Sequence, residues 1–331
     1  MTRAGLLALA ALAGTARADI WKEASDPDRQ RAKYEQALTD GDDYAAQAAA
    51  SQIGRGNMRQ LVDEAAKQYR RAAELEPTEG EPLFRLGTML YSYYLACYDH
   101  TRAGSPLCNS QQPMDRARAE QVLAIWNEFE QRAPLDPRNS VFAEDSLSLL
   151  STRAILETKL ATRPHIEEAA RLYEKVLARG EVAYANEQTI GNLAETYMML
   201  DRLDDAIAMY RRAGDQEIST AYGLAIALDR DERGAEALEV IYAQGSPAPF
   251  FKKLDEHEVF YVPDGEVYYY IALVDEAWDD VDRAIVNWKA YIESGAHPEF
   301  QPRARQHLDA LIAKQKQHPQ HHRRWIDELP F

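Results

Sequence analysis

No stretch of this sequence is apolar for the roughly 20 residues that a helix needs to cross a bilayer. The most apolar run, Leu6 to Ala13, covers about half of that. Cysteine is nearly absent, with only Cys97 and Cys108, and neither stands near the small-residue triplet Ala16-Arg17-Ala18, which argues against a lipid-anchored lipoprotein. The sequence also lacks HExxH, GxSxG, GxxxxGK[ST] and a GxGxxG placed after a strand. Zinc hydrolysis, a serine nucleophile elbow, a phosphate cradle and a dinucleotide fold therefore have no local signature. Positive charge is in deficit: 38 Lys and Arg face 54 Asp and Glu, a formal charge of −16. A surface this acidic repels phosphate backbones and anionic lipid headgroups, which leaves proteins or peptides as partners and excludes nucleic acid and direct membrane insertion.

The N-terminus carries a positive start at Arg3, the short leucine and alanine run, and the small-x-small site before Asp19. This pattern predicts a secretory signal peptide, residues 1–18, cleaved after Ala18 to release a periplasmic product. Loss of Arg3 and Arg17 with it takes the charge from −16 to −18. In an oxidising compartment an even pair of cysteines close in sequence is expected to form a disulfide, here Cys97–Cys108, worth about 2–3 kcal/mol in the chain-entropy model. A metal or redox pair would need CxxC or histidines at ligand spacing, and His100 alone does not supply them. No cofactor or metal is expected.

Internal periodicity decides the fold class. Ile190, Leu193, Ala194, Tyr197 and Leu200 are spaced by three and four, and after the polar turn from Asp201 to Asp205 the spacing resumes with Ala206, Tyr210 and Ala213. Such spacing marks an amphipathic helix on each side of the turn. The phrase recurs in Ala65, Tyr69, Ala72 and Pro77 followed by Leu83, Leu86, Gly87 and Leu90. It recurs again from Ala221, Leu224, Ala225 and Leu228 into Ala237 and Ile241, and from Tyr268, Ile271 and Ala272 into Ala284, Trp288 and Tyr291. Phe129 with Pro137, and Ala169 with Tyr173, mark weaker second helices.

These units resemble the tetratricopeptide repeat (TPR), in the W-x2-L-G-x2-Y then A-x3-F pattern. The resemblance implies an all-α superhelix, a TPR solenoid of antiparallel helix pairs. Its expected layout is an N-terminal helical segment at 19–41, five to six repeats over 42–299, a capping helix at 300–317 and a His/Arg-rich tail at 318–331. Insertions are expected at 91–113 and 248–265, and the first helix within 140–163 reads about two turns too long. Phe260 to Val262 could form a short extended piece. The tail, with Lys316, His318, His321, His322, Arg323 and Arg324, reads by default as a solvated extension; holding a metal ion weakly, lying against the acidic body, or docking as a short peptide through Trp325 and Phe331 are its open alternatives.

The best-known TPR site, a carboxylate clamp of Lys, Asn and Arg on successive first helices, is matched here only by Asn192. First helices line the concave face of such a superhelix. The resemblance therefore implies a peptide-binding groove from Phe84, Tyr91, Asn192, Tyr222, Tyr269 and Tyr270, although each ring could equally pack against the adjacent first helix. Leu83, Leu86, Leu224 and Ile271 are assigned to the opposite, packing face. Carboxylates such as Asp204-Asp205 and Asp279-Asp280 read as solvated turns. The functional expectation is a non-enzymatic periplasmic scaffold, a structural component or assembly factor of a secretion, pilus or motility machine. The alternative is an envelope hydrolase with a carboxylate pair on a TPR body.

Overall fold

The computed structural model describes residues 26–51, 55–98, 106–109, 112–132, 146–178, 187–214, 218–255 and 264–317. The signal segment, Phe260–Val262 and the tail lie outside them. All secondary structure among the described residues is helical, and the chain divides into two compact units, Met1–Asp145 and Ser146–Phe331.

The first unit contains α1 (Pro27–Ala50), α2 (Arg55–Leu75), α3 (Glu81–Tyr94) and α4 (Arg116–Arg132), each packed on the next. The Asp26 side chain caps α1 by accepting from the Asp28 N–H, and Pro27 occupies the first turn, where a missing N–H costs nothing. The boundary read at residues 41 and 42 falls inside α1, because Gly41 serves packing rather than a turn. A Cβ there would lie 2.7 Å from the Tyr69 ring of α2. Gly87 plays the same part between α3 and α4, where a Cβ would lie 2.6 Å from Cδ1 of Trp126. After α3 a short 3-10 turn, Ala96–Tyr98, leads into the disulfide between Cys97 and Cys108, whose Cα atoms are 5.9 Å apart. The Tyr98 hydroxyl donates its one proton into the same region, nearest the Gln112 carbonyl at 3.0 Å, with those of Asn109 and Pro113 at 3.2 and 3.3 Å.

The second unit contains α5 (Ser146–Leu160), α6 (Arg163–Ala178), α7 (Glu187–Met199), α8 (Leu203–Ala213), α9 (Ile218–Arg230), α10 (Gly234–Ala243), α11 (Ala248–Asp255), α12 (Val267–Ala277), α13 (Val281–Ser294) and α14 (Gln301–Gln317). Consecutive helices pack as pairs, and α7 also meets α9, while α9 and α10 also meet α12. Within the stretch read as an overlong first helix, α5 ends at Leu160 and α6 begins at Arg163; residues 140–145 are outside the described set. The 248–265 insertion opens with a helix, α11, because Phe250 and Leu254 recur at a spacing of four and Phe250 is fully buried.

A left-handed residue stands in the turn that joins the two helices of four pairs in the second unit. Ala161, Asp201, Glu232 and Asp279 all adopt left-handed backbone, at φ of 57°, 60°, 59° and 61°. In three of these turns the next N–H reaches back five residues, from Arg202 to Tyr197 (2.9 Å), Arg233 to Leu228 (2.8 Å) and Asp280 to Asp275 (2.8 Å). This is the Schellman closure, which satisfies carbonyls that the helix end would leave unpaired. It offsets the roughly 1–2 kcal/mol that a left-handed residue with a Cβ costs.

Candidate functional site

The shared turn sets a common register. Three residues before the left-handed position stand Asp229 in α9 and Glu276 in α12, and both acids fall on the apolar stripes of their helices. Asp229 follows Tyr222 and Ile226 by seven and three, and Glu276 follows Tyr269 and Leu273 by the same intervals. Asp229 is fully buried. Its carboxylate accepts from Arg303 Nη2 at 2.6 Å and from the Tyr269 hydroxyl at 2.7 Å, and His307 Nε2 lies 3.0 Å from Oδ2. The other nitrogen of His307, Nδ1, lies 2.9 Å from Oε2 of Glu276, which also accepts from Trp288 Nε1 at 3.1 Å. The imidazole stacks on Trp288 at 4.7 Å.

The chemistry of this cluster follows from its acceptors. Carboxylates only accept, so both ring nitrogens must donate, and His307 is an imidazolium. Burial pushes its pKa down, but the hydrogen bonds and charges of Asp229 and Glu276 outweigh burial and hold it at about 9. Burial likewise works to raise Asp229, and His307 and Arg303 overcome it to hold that group at about 2. One cation on α14 thus bridges equivalent acids of two neighbouring helix pairs. With both nitrogens committed, the ring fastens helices together and has no lone pair to offer a substrate.

A second buried pair sits beside it. Arg230 Nη2 donates to both oxygens of Glu266 at 2.6 and 2.8 Å, and the guanidinium lies between the rings of Tyr269 (4.5 Å) and Phe300 (4.1 Å). Burial pushes Glu266 upward from the usual carboxylate range, against the attraction of Arg230 and His297. Glu195 of α7 accepts from the hydroxyls of Tyr210 (2.6 Å) and Tyr270 (3.1 Å), tying α7, α8 and α12 together. The reading of turn carboxylates as solvated holds for Asp204 and Asp205 and fails for Asp280, which is 2% exposed and caps α13 by accepting from the Arg283 N–H.

The residues assigned to a groove are largely core. Tyr91 is buried against Trp126 with ring centroids 5.6 Å apart. Tyr222 stacks on Phe250 at 4.2 Å, Tyr269 is edge-on to Trp288 at 4.7 Å, and Tyr270 is buried with its hydroxyl on Glu195. Phe84 is half-buried and tilted against Phe129 at 5.6 Å, and Asn192 is half-buried, its carbonyl accepting from the Thr196 hydroxyl. The helix faces were misphased in the second unit: Tyr222 and Tyr270 point into the core, while Leu224 and Ile271, assigned to packing, are only half-buried. The missed residues had a signal, since an acid on an apolar helical stripe must find a buried partner.

Ile271 instead walls an open depression of about 610 Å³ between α11, α12 and α13. Phe251, Leu254, Val267 and Val286 are its other apolar residues, and Asp282, Arg283 and Asn287 form its polar side. Val286 is 63% exposed. No helix among the described residues is long and apolar enough to cross a membrane, and these residues contain no cluster of metal-ligating side chains. In comparisons with known proteins, the chain matches no protein-family model and no curated protein.

Proposed function

We propose that this chain is a TPR-like interaction scaffold of the bacterial cell envelope, exported and disulfide-bonded, that holds other envelope proteins or peptides. The observation that carries this reading is the recurring pair-internal turn, with its left-handed residue at Ala161, Asp201, Glu232 and Asp279. A chain that repeats one helix-pair unit, each packed on its neighbours, gains exposed surface in proportion to its length, which is what a scaffold uses. The acidic charge favours basic or apolar partner segments, and the Cys97–Cys108 bridge fits an oxidising compartment. The machine it serves, whether for secretion, pilus assembly or motility, is part of the proposal.

The test is affinity capture with the tagged full-length chain from envelope extracts. A discrete partner set is expected, and charge reversal at exposed positions such as Glu239 and Lys289 is expected to thin that set while the helical circular-dichroism spectrum stays intact. The scaffold reading falls if no partner is recovered while a single carboxylate-to-amide change abolishes the cellular phenotype.

A further inference from the structure

We infer that the depression between α11, α12 and α13 is occupied by the C-terminal tail of the same chain, with Trp325 and Ile326 as its apolar anchor. The inference is independent of the scaffold reading.

α14 ends at Gln317, and its last turns are fastened beside the depression. Lys314 Nζ pairs with Asp279 at 2.5 Å, and Gln315 Nε2 donates to Asp282 Oδ1 at 2.7 Å. Asp282 is itself part of the depression wall, so the residues that follow α14 start at its rim. Residues 318–324 can reach up to about 23 Å when extended. Val286 lies one helical turn beyond Asp282, about 6 Å along α13, so the reach is ample.

The depression offers apolar surface from Phe251, Leu254, Ile271 and Val286, and its polar wall carries both charges, Asp282 and Arg283. The tail offers a matching sequence, with Arg323 and Arg324 immediately before Trp325 and Ile326, and Asp327 and Glu328 immediately after them. Two apolar residues flanked by charges of both signs match an apolar floor whose wall also carries both signs, Asp282 and Arg283. Tryptophan suits such a site because a large rigid ring buries much area at low entropic cost.

The experiment places a reporter on the exposed valine. Val286→Cys in the oxidised full-length chain is labelled with a maleimide, with and without Trp325→Ala and Ile326→Ala. If the tail covers the depression, the tail variant is expected to react about tenfold faster, as a covered site does when its cover is released. A benzophenone amino acid at position 286 is expected to cross-link to the peptide containing Trp325. Equal labelling rates overturn the inference. So do cross-links to residues 256–263, which would make that segment the occupant, or to a second copy in a mixture of light and heavy isotopic chains.

Discussion

His307 is the group whose protonation most directly reports on the packing of α14. Its pKa is about 9 in the folded protein against 6.5 unperturbed. A folded value above the unfolded one means that its stabilising contribution is fully present below pH 6.5 and is lost as the pH rises through 9. The difference corresponds to about 3 kcal/mol at most, of which about 2 kcal/mol disappears between pH 7 and pH 9. The ring is 12% exposed, so solvent screening removes little of this. The lowered value of Asp229 expresses the same contact from its other end and is not added: that contribution is present above pH 3.8 and is lost as the pH falls toward 2. The groups that face the ring are Asp229 from α9, Glu276, Tyr269 and Trp288 from α12 and α13, and Arg303 from its own helix. His297, whose pKa is also raised against burial by Glu299 and Glu266, titrates in the same direction, so wild type alone does not isolate His307. The measurement is the urea midpoint of His307→Gln against wild type at pH 7 and pH 9. The variant is expected to be less stable by about 3 kcal/mol at pH 7, and the gap to shrink by about 2 kcal/mol at pH 9. A gap that stays constant with pH would refute the imidazolium bridge.

Three further outcomes are expected. Gly87→Ala drives a Cβ into the buried Trp126 indole and lowers stability by about 1–3 kcal/mol, whereas Gly191→Ala, with its nearest neighbour the Thr220 hydroxyl at 3.4 Å, raises it by about 0.5–1 kcal/mol; thermal melts that rank the two alike would contradict the packing described. Glu232→Gly removes the left-handed penalty at an exposed turn residue and raises the denaturant midpoint, by about 1 kcal/mol. Tyr222→Ala empties a fully buried site against Phe250 and costs about 3–5 kcal/mol, read as an early melt; an unchanged melting temperature would return that ring to the surface.

Sequence reasoning reached the helices and the disulfide and largely missed the polar interior. Ala194, Tyr197, Ala206 and Tyr210 are all buried as their spacing required, and α14 covers the segment expected as a cap. Those features are local, because helical period and a neighbouring cysteine pair are written within a few turns of chain. Helix phase is not local. In α12 three tyrosines follow one another, and which of them turns inward depends on α9 and α13, so spacing alone does not separate the buried Tyr269 and Tyr270 from the half-buried Ile271. The bridge from His307 to Asp229 spans 78 residues, and that of Arg230 to Glu266 spans 36. Pairings at such separations leave only an indirect trace, an acid sitting on an apolar stripe.

The uniform turns also divide the chain into places that tolerate change and places that do not. The connectors 200–202, 231–233 and 278–280 are each three residues closed by a five-residue return bond, and an added residue would slip that bond and rotate the second helix off its partner. The connectors between pairs vary from 214–217 to the long passage that holds α11. New sequence, a protease site or new chain ends would therefore be accepted between Ala213 and Ile218 far more readily than at Glu232, and lineages that lengthen this protein would be expected to do so at the joints between pairs.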